Sequence, residues 1–245
     1  MLYFLTTLFA ATFGSVTGIG GGLIVRPSLS LLGAGIGLAS FTSAAAVFVM
    51  ASISVTMRRV WRTGIELKHL GFLAVGSIMG AFLGAYILQF LTPLVVSVLM
   101  ATVMTLIGVL LIVKRFFKPR VITNPFLSVA LGVMTGFFAG LFGIGGGTLQ
   151  MIVLMYLFGS KPKEAVVQSL FIAMLASAAA LIQYSINGFA DFSLLMYVIP
   201  AAVLGGLIGG VVSKRISARL VIVLLFTAIL GVVASQVYLV VLELI

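Results

Sequence analysis

The pentapeptide Gly18-Ile19-Gly20-Gly21-Gly22 decides the fold of this chain, because the same five residues return at positions 143–147. Three adjacent glycines destabilise a helix by about 1 kcal/mol each relative to alanine. Each copy lies in an apolar run, and an opened backbone that faced lipid would find no water for its N–H and C=O groups. We therefore predict that the chain breaks at both places, in sites that are buried by protein or line a wet cavity. Paired interruptions at matching positions of two halves indicate the binding site of a transporter.

The composition predicts an all-α polytopic membrane protein. Of the 245 residues, 62% are hydrophobic and 7% are charged, whereas a soluble domain carries about 25% charged residues. A transmembrane barrel would alternate apolar and polar residues, but these apolar runs are continuous. We expect the first segment to be part of the folded protein, because it lacks the basic start and the cleavage site of a signal peptide.

The charged residues exclude several classes of function. A net charge of +10 would suggest nucleic acid as the partner of a soluble protein, but in a membrane protein basic residues mark cytoplasmic loops. The chain has no cysteine, one histidine and four acidic residues, which leaves thiol chemistry excluded and no cluster for a metal ion. We therefore expect no nucleic-acid partner, no cofactor or metal, and no enzymatic activity.

The chain consists of two halves with the same order of segments, residues 1–120 and 121–245. Each half has an apolar run, a glycine cluster and a short apolar leg, followed by three runs long enough to span a bilayer. The legs contain only 10 or 11 residues and reach about half-way across at about 1.5 Å per residue, so each glycine unit is predicted to be a re-entrant hairpin. The predicted elements are the hairpins 1–33 and 125–158 and the spans 38–57, 70–90, 94–113, 165–186, 192–212 and 220–242.

Loop charges give an independent test of this topology. If each glycine unit crossed the membrane, the basic loops of the two halves would lie on opposite sides. If each unit returns to the side from which it enters, the thirteen basic residues other than Arg26 fall on one side, as the positive-inside bias requires. The halves are then inverted repeats whose glycine tips meet near mid-membrane. We expect a location in the cytoplasmic (inner) membrane, with basic loops in the cytoplasm and both termini outside.

Arg26 is the one charged residue inside a predicted apolar segment, and arginine at membrane depth usually faces a partner or a cavity. The short legs begin at the glycines, so the positive ends of their dipoles point towards the tips. No carboxylate in the apolar segments is available to pair with Arg26, which predicts a site for a small anion. The alternative is an arginine that reaches the lipid headgroups or is capped by carbonyl groups.

Polar residues near both tips complete the predicted site. Ser43 and Ser169 match between the halves at an offset of 126 residues, as do Thr42 and Gln168, and their hydroxyl and amide groups can donate to an oxyanion; hydrogen bonding between helices is the alternative role. The predicted substrate-binding residues are Gly20, Gly21, Gly22, Arg26, Thr42, Ser43, Gly145, Gly146, Gly147, Thr148, Gln150, Gln168 and Ser169, with Thr17 as a further candidate. His69 is either a carrier of a coupling proton or a membrane-border residue without a role.

These motifs resemble the sulfite exporter TauE/SafE family of membrane permeases over essentially the full chain. The resemblance rests on the paired glycine motif, on Pro27 after the first cluster and on spaced glycines in both halves. These spaced glycines are Gly80, Gly84, Gly205 and Gly209. The second half departs from the pattern, since Met151 and Ile152 stand where Arg26 and Pro27 stand in the first. The resemblance implies transport of a sulfur-containing anion such as sulfite, thiosulfate or a sulfonate such as sulfoacetate.

The predicted function is therefore a secondary transporter that works by alternating access and holds a small sulfur oxyanion between the two tips. The alternatives are an anion channel or uniporter, a transporter of a small carboxylate without sulfur, and an intramembrane scaffold or enzyme. The direction of transport and the coupling ion stay open. The glycine-spaced helices suit packing within one chain or across a homodimer.

Overall fold

The computed structural model describes residues 1–58, 67–114 and 124–244. Its helices are α1 (Leu2–Thr17), α2 (Gly22–Leu31), α3 (Ile36–Arg58), α4 (Leu67–Leu88), α5 (Pro93–Lys114), α6 (Pro125–Phe142), α7 (Gly147–Leu157), α8 (Pro162–Ile186), α9 (Leu195–Val212) and α10 (Ala218–Leu244). Within the described residues, seven helices are long and apolar enough to cross a membrane, namely α3 to α6 and α8 to α10. The prediction of an all-α polytopic membrane protein is confirmed. Helix α6 is long enough to be one of these seven because it has 18 residues. Its counterpart in the first half, α1, has 16 and is too short to be counted.

The chain breaks at both glycine clusters. Helix α1 ends one residue before the first cluster and α6 one residue before the second, and α2 and α7 each begin at the last glycine of a cluster. Six of these glycines have φ between 64° and 94°, which is the left-handed region that disfavours residues with a Cβ. They are Gly18, Gly20, Gly21, Gly143, Gly145 and Gly146. The glycines are therefore required by the backbone conformation of the two turns.

The helices of the two halves pack against each other in matching pairs. Helix α1 packs on α9, and its counterpart α6 packs on α4; α3 packs on α8, and α5 packs on α10. Exchanging the two halves turns the pair α1–α9 into the pair α6–α4. The pairs α3–α8 and α5–α10 each contain two corresponding helices, so the exchange leaves them unchanged. Helices α3 and α8 are the most buried of the seven spans and α10 is the least buried. The centre of the bundle is therefore built from α3, α8 and the two glycine clusters.

Glycines at four-residue spacing bring α4 and α6 into backbone contact. A Cβ built on Gly76, Gly80 or Gly84 would lie 2.0–2.2 Å from a carbonyl oxygen of α6. In the second half, a Cβ built on Gly205 or Gly209 would lie 2.6 Å from the Cβ atom of Ala11 or Ser15 in α1. Small residues permit such a close approach of helices in a membrane. These glycine-spaced helices therefore pack within one chain. The sequence had left open whether they pack within one chain or across a homodimer.

The alanine variant of Gly80 tests this packing. The new Cβ would lie 2.1 Å from the carbonyl oxygen of Val133, and such overpacking costs about 1–3 kcal/mol. We expect Gly80→Ala to lower the melting temperature of the purified protein by about 5 °C. Gly71→Ala in the same helix is the control, because no atom of the described residues lies within 4 Å of its Cβ position. Equal melting of the two variants would contradict the close contact between α4 and α6.

Arg58 corrects the prediction that every basic residue except Arg26 belongs to a loop. It is the last residue of α3, one position beyond the predicted end of that span. Its Nη2 donates to the carbonyl oxygen of Ser15 at 2.6 Å and to that of Gly209 at 3.3 Å. The long side chain satisfies carbonyl groups of α1 and α9, which the charge pattern could not show because both partners are distant in sequence.

The start of α9 also differs from the prediction. The helix begins at Leu195 rather than at 192, because the side chain of Asp191 accepts a hydrogen bond from the Ser193 N–H at 2.8 Å and holds a turn. The same bond lowers the pKa of the Asp191 carboxyl group. Several residues of the loop argument lie outside the described part of the chain, or have side chains that do. They are Arg59, Arg62, Glu66, Lys68, His69, Lys114, Arg115, Lys118, Arg120 and Glu243.

Candidate functional site

The two glycine clusters meet inside the bundle. A Cβ built on Gly147 would lie 2.5 Å from the carbonyl oxygens of both Gly18 and Ile19, and one built on Gly22 would lie 2.8 Å from the Cα atom of Ile144. All residues of both clusters are buried. The contact joins backbone to backbone, which is possible because glycine has no side chain to separate the two turns. The structure thus places the six predicted glycines, Gly20 to Gly22 and Gly145 to Gly147, in one region.

Helices α2 and α7 both begin at this contact. Their N-caps are Gly21 and Gly146, which have no side chain to accept a hydrogen bond from the first N–H groups of the helix. Helix N-termini with this arrangement favour negative charge.

Two of the predicted serines hold the turn of the first cluster. The hydroxyl of Ser169, on α8, donates to the carbonyl oxygen of Gly18 at 2.9 Å, and that of Ser43, on α3, donates to the carbonyl oxygen of Gly22 at 3.3 Å. Each serine also keeps lone pairs that can accept a hydrogen bond. Thr17 donates to the carbonyl oxygen of Phe13 in its own helix. These hydroxyl groups fix the backbone around the site.

Three other predicted residues are buried without a hydrogen-bond partner in the described part of the chain. They are Thr42, Thr148 and Gln168, and in Gln168 both the amide nitrogen and the amide oxygen lack a partner. Gln150 uses its amide nitrogen to donate to Ser77 at 2.8 Å, while its oxygen has no partner there. An unsatisfied buried polar group costs about 1–3 kcal/mol. Thr148 directly follows the second cluster, and Thr42 and Gln168 directly precede the two serines that bind the first, so these groups are candidates for contact with a ligand or water.

Arg26 lies inside the protein and does not reach the lipid surface. Its side chain is 2% exposed, and Nη1 donates to the sulfur atom of Met100 at 3.2 Å. Nε has no partner, and no carboxylate forms an ion pair with the guanidinium among the described residues. A thioether sulfur is a weak acceptor. Among the described residues no carbonyl group caps Arg26, and its burial keeps it from the lipid headgroups, which were the two alternatives for this residue.

Tyr184 lies close to the second cluster, and the sequence pattern did not single it out. The tyrosine is fully buried, and its hydroxyl donates to the carbonyl oxygen of Gly140, three residues before that cluster. The available signal was a lone tyrosine near the end of an apolar span, which by itself also fits a membrane-interface anchor.

Broken helices that meet inside a bundle are typical of secondary transporters, and fold and site together define a polytopic membrane transporter. The chain belongs to the sulfite exporter TauE/SafE family, whose profile matches residues 3–237. It is 26% identical to the probable membrane transporter protein YunE of Bacillus subtilis (strain 168) over 94% of both chains. It is 28% identical to the probable membrane transporter protein YjnA of the same organism, over 86% of this chain and 89% of the relative. The resemblance identified from the glycine motifs is confirmed.

Proposed function

We propose that this protein is a secondary transporter for a small sulfur-containing oxyanion, which binds between the two glycine clusters. One observation carries the proposal: Arg26, four residues after the first cluster, is buried, and no carboxylate of the described residues pairs with it. Burying an unpaired charge costs several kcal/mol. A bound anion is the partner that offsets this cost.

The surrounding groups suit an oxyanion better than a spherical ion. The unpartnered hydroxyl groups of Thr42 and Thr148 and the amide of Gln168 can donate to several oxygens of one ligand. The N-terminal ends of α2 and α7 add positive potential without a further charged residue. Sulfite, thiosulfate and sulfonates present at least three acceptor atoms around one centre, which matches a site with several donors. The choice of sulfur anions rests on the family, the sulfite exporters.

The transport mechanism we propose is alternating access around this site. The halves 1–120 and 121–245 are inverted repeats, each a re-entrant hairpin followed by three spans, and the matching helix pairs support this arrangement. The basic loops face the cytoplasm and both termini lie outside the cytoplasmic membrane, by the positive-inside bias. The glycine-packed pairs α1–α9 and α4–α6 contain helices of both halves and move as units, because backbone contact leaves them little room to slide.

A binding screen on the purified protein tests the proposed substrate class. Sulfite, thiosulfate, sulfoacetate, acetate and malonate are added at equal ionic strength, with chloride as the reference, and the melting temperature is measured. We expect at least one sulfur anion to raise it, since a ligand at 100 times its Kd stabilises by about 2.7 kcal/mol. If only the carboxylates raise the melting temperature, the substrate is a carboxylate and not a sulfur anion. If no anion raises it, the proposed anion site is contradicted.

Flux measurements separate the transporter from the channel. The anion that stabilises the protein is followed into proteoliposomes over a range of concentrations. A transporter saturates with a turnover that depends on the conformational change, and an imposed proton or sodium gradient changes its rate when that ion is coupled. Flux that rises linearly with concentration and ignores both gradients would instead establish a channel.

Thr42→Val tests the contribution of one unpartnered donor. The replacement has nearly the same shape, and the hydroxyl has no partner in the described residues, so the anion-free protein should melt as the wild type does. We expect the affinity for the stabilising anion to fall about tenfold, the upper range for one neutral hydrogen bond. Thr105→Val is the control, because that exposed hydroxyl donates to Ala101 in its own helix. Loss of stability with unchanged affinity would give Thr42 a structural role only.

A further inference from the structure

A cationic cavity lies apart from the glycine clusters, where the ends of three helices come together. Its volume is about 500 Å³. Arg58 at the end of α3, Lys163 in the first turn of α8 and Lys214 just after α9 line it, together with the hydroxyl-bearing Ser213. No acidic residue of the described ranges lines it. In sequence these cations belong to three separate connections, and the fold collects them around one space.

The charges of this cavity are not neutralised by acidic groups of the described chain. Lys163 and Lys214 are exposed, and Arg58 directs Nη2 to two carbonyl oxygens while its Nε has no partner among the described residues. The nearest acid in sequence, Glu164, accepts a hydrogen bond from the backbone N–H of Lys161. Cations that share a small cavity without an acid repel each other and raise its affinity for anions.

Two residues that line the cavity adjoin the first glycine cluster. Val16, which lines the cavity, precedes Gly18 by two residues. Val166 also lines it, and a Cβ built on Gly18 would lie 2.8 Å from the Cα atom of Val166. One helical turn further along α8, Ser169 donates to the carbonyl oxygen of Gly18. The cavity therefore lies next to the backbone on which the proposed transport site is built.

We propose that this cavity is a second anion site, which binds a small divalent oxyanion through Arg58, Lys163 and Lys214 before it reaches the glycine clusters. Its place on the transport path rests on the proposed function, but binding of the anion in the cavity does not. Two negative charges on a small anion match the three cations better than one. The same charges also suit the phosphate of an anionic lipid headgroup, so the test separates the two sources.

The absence of cysteine in the chain permits a test that needs neither transport nor the natural substrate. Ser213→Cys places a single thiol in the lining of the cavity. Its rates of modification by 2-sulfonatoethyl methanethiosulfonate and by the trimethylammonium analogue are compared in neutral detergent. We expect the anionic reagent to be favoured, and Lys163→Gln/Lys214→Gln to lower the anionic-to-cationic rate ratio about tenfold. The control pair Lys161→Gln/Arg215→Gln removes the same charge from outside the lining and should leave the ratio near that of Ser213→Cys alone.

Protection of the introduced thiol by ions shows whether an anion resides in the cavity. Sodium sulfate should slow modification by both reagents more than sodium chloride of equal ionic strength, and less so in the double lysine variant. Equal effects of sulfate and chloride, or equal rate ratios in the two double variants, would overturn the proposal. Protection in phosphatidylglycerol nanodiscs that matches that of sulfate, with none in phosphatidylcholine, would assign the cavity to lipid and also overturn it.

An added Arg26→Gln change separates this proposal from the proposed function. Arg26 does not line the cavity, so sulfate should still protect the introduced thiol in Ser213→Cys/Arg26→Gln. Protection that disappears with Arg26 would mean that the two sites are one, and would overturn the second site. Persistent protection together with unaffected anion transport would leave the cavity site standing and remove Arg26 from the transport site.

Discussion

Replacing Arg26 by glutamine is expected to abolish the stabilisation by sulfur oxyanions and to lower their transport about a hundredfold. The guanidinium is buried four residues after the first glycine cluster, with a thioether as its hydrogen-bond acceptor. Truncating one partner of a buried, hydrogen-bonded charge pair costs about 2–5 kcal/mol. The measurement is the anion-dependent shift in melting temperature, followed by uptake into proteoliposomes.

The stability of the anion-free protein distinguishes a binding arginine from a structural one. Arg26→Met should melt at the same temperature as the wild type or higher, because an apolar side chain beside Met100 removes an uncompensated buried charge. Arg26→Lys keeps the charge but loses the planar fork of donors, and should retain part of the affinity. A large loss of stability in Arg26→Met, or full transport in Arg26→Gln, would show that the arginine does not bind the substrate.

Gly147→Ala is expected to destabilise the protein strongly, because the new methyl group falls in the contact between the two glycine clusters. The new Cβ would lie 2.5 Å from the carbonyl oxygens of Gly18 and Ile19, and neither backbone can move without disturbing its own cluster. Overpacking typically costs about 1–3 kcal/mol, and a rigid contact of this kind belongs at the upper end. We expect a fall of about 10 °C in the melting temperature, measured on the purified protein.

Gly231→Ala is the matched control for this variant. Gly231 lies in α10, no atom of the described chain lies within 4 Å of its Cβ position, and alanine favours a helix by about 1 kcal/mol over glycine. Its melting temperature should therefore equal or exceed that of the wild type. If Gly147→Ala fails to fold, its recovery as monodisperse protein falls while that of Gly231→Ala does not. Wild-type melting and transport in Gly147→Ala would contradict the contact between the two clusters.

The loops show what charge patterning can predict and where it stops. Arg58, Lys163 and Lys214 line one cavity, while the topology with all basic loops on one side stays a prediction. The same pattern treated Arg58 as a loop residue, although its guanidinium donates to α1 and α9. Charge counts state the side of the membrane on which a residue lies. They do not state which carbonyl groups lie within reach of a long side chain.

The sequence alone determined the membrane class, six of the seven long helices of the described residues, and the two breaks. These properties are local: hydropathy is a property of consecutive residues, and adjacent glycines carry their conformational freedom in any context. Prediction failed at the start of α9 because Asp191 and Ser193 form a turn inside an apolar run. A single side-chain hydrogen bond there outweighs the hydropathy of the neighbouring residues.

Only the tertiary structure decided what meets inside the bundle. Residues 18–22 and 143–147 come into contact, Tyr184 donates to the carbonyl oxygen of Gly140 just before the second cluster, and Thr42, Thr148 and Gln168 remain without partners in the described residues. Each of these facts depends on how helices far apart in the chain are rotated and spaced. Whether a polar group is satisfied is a property of its neighbours in space, and no stretch of consecutive residues contains that information.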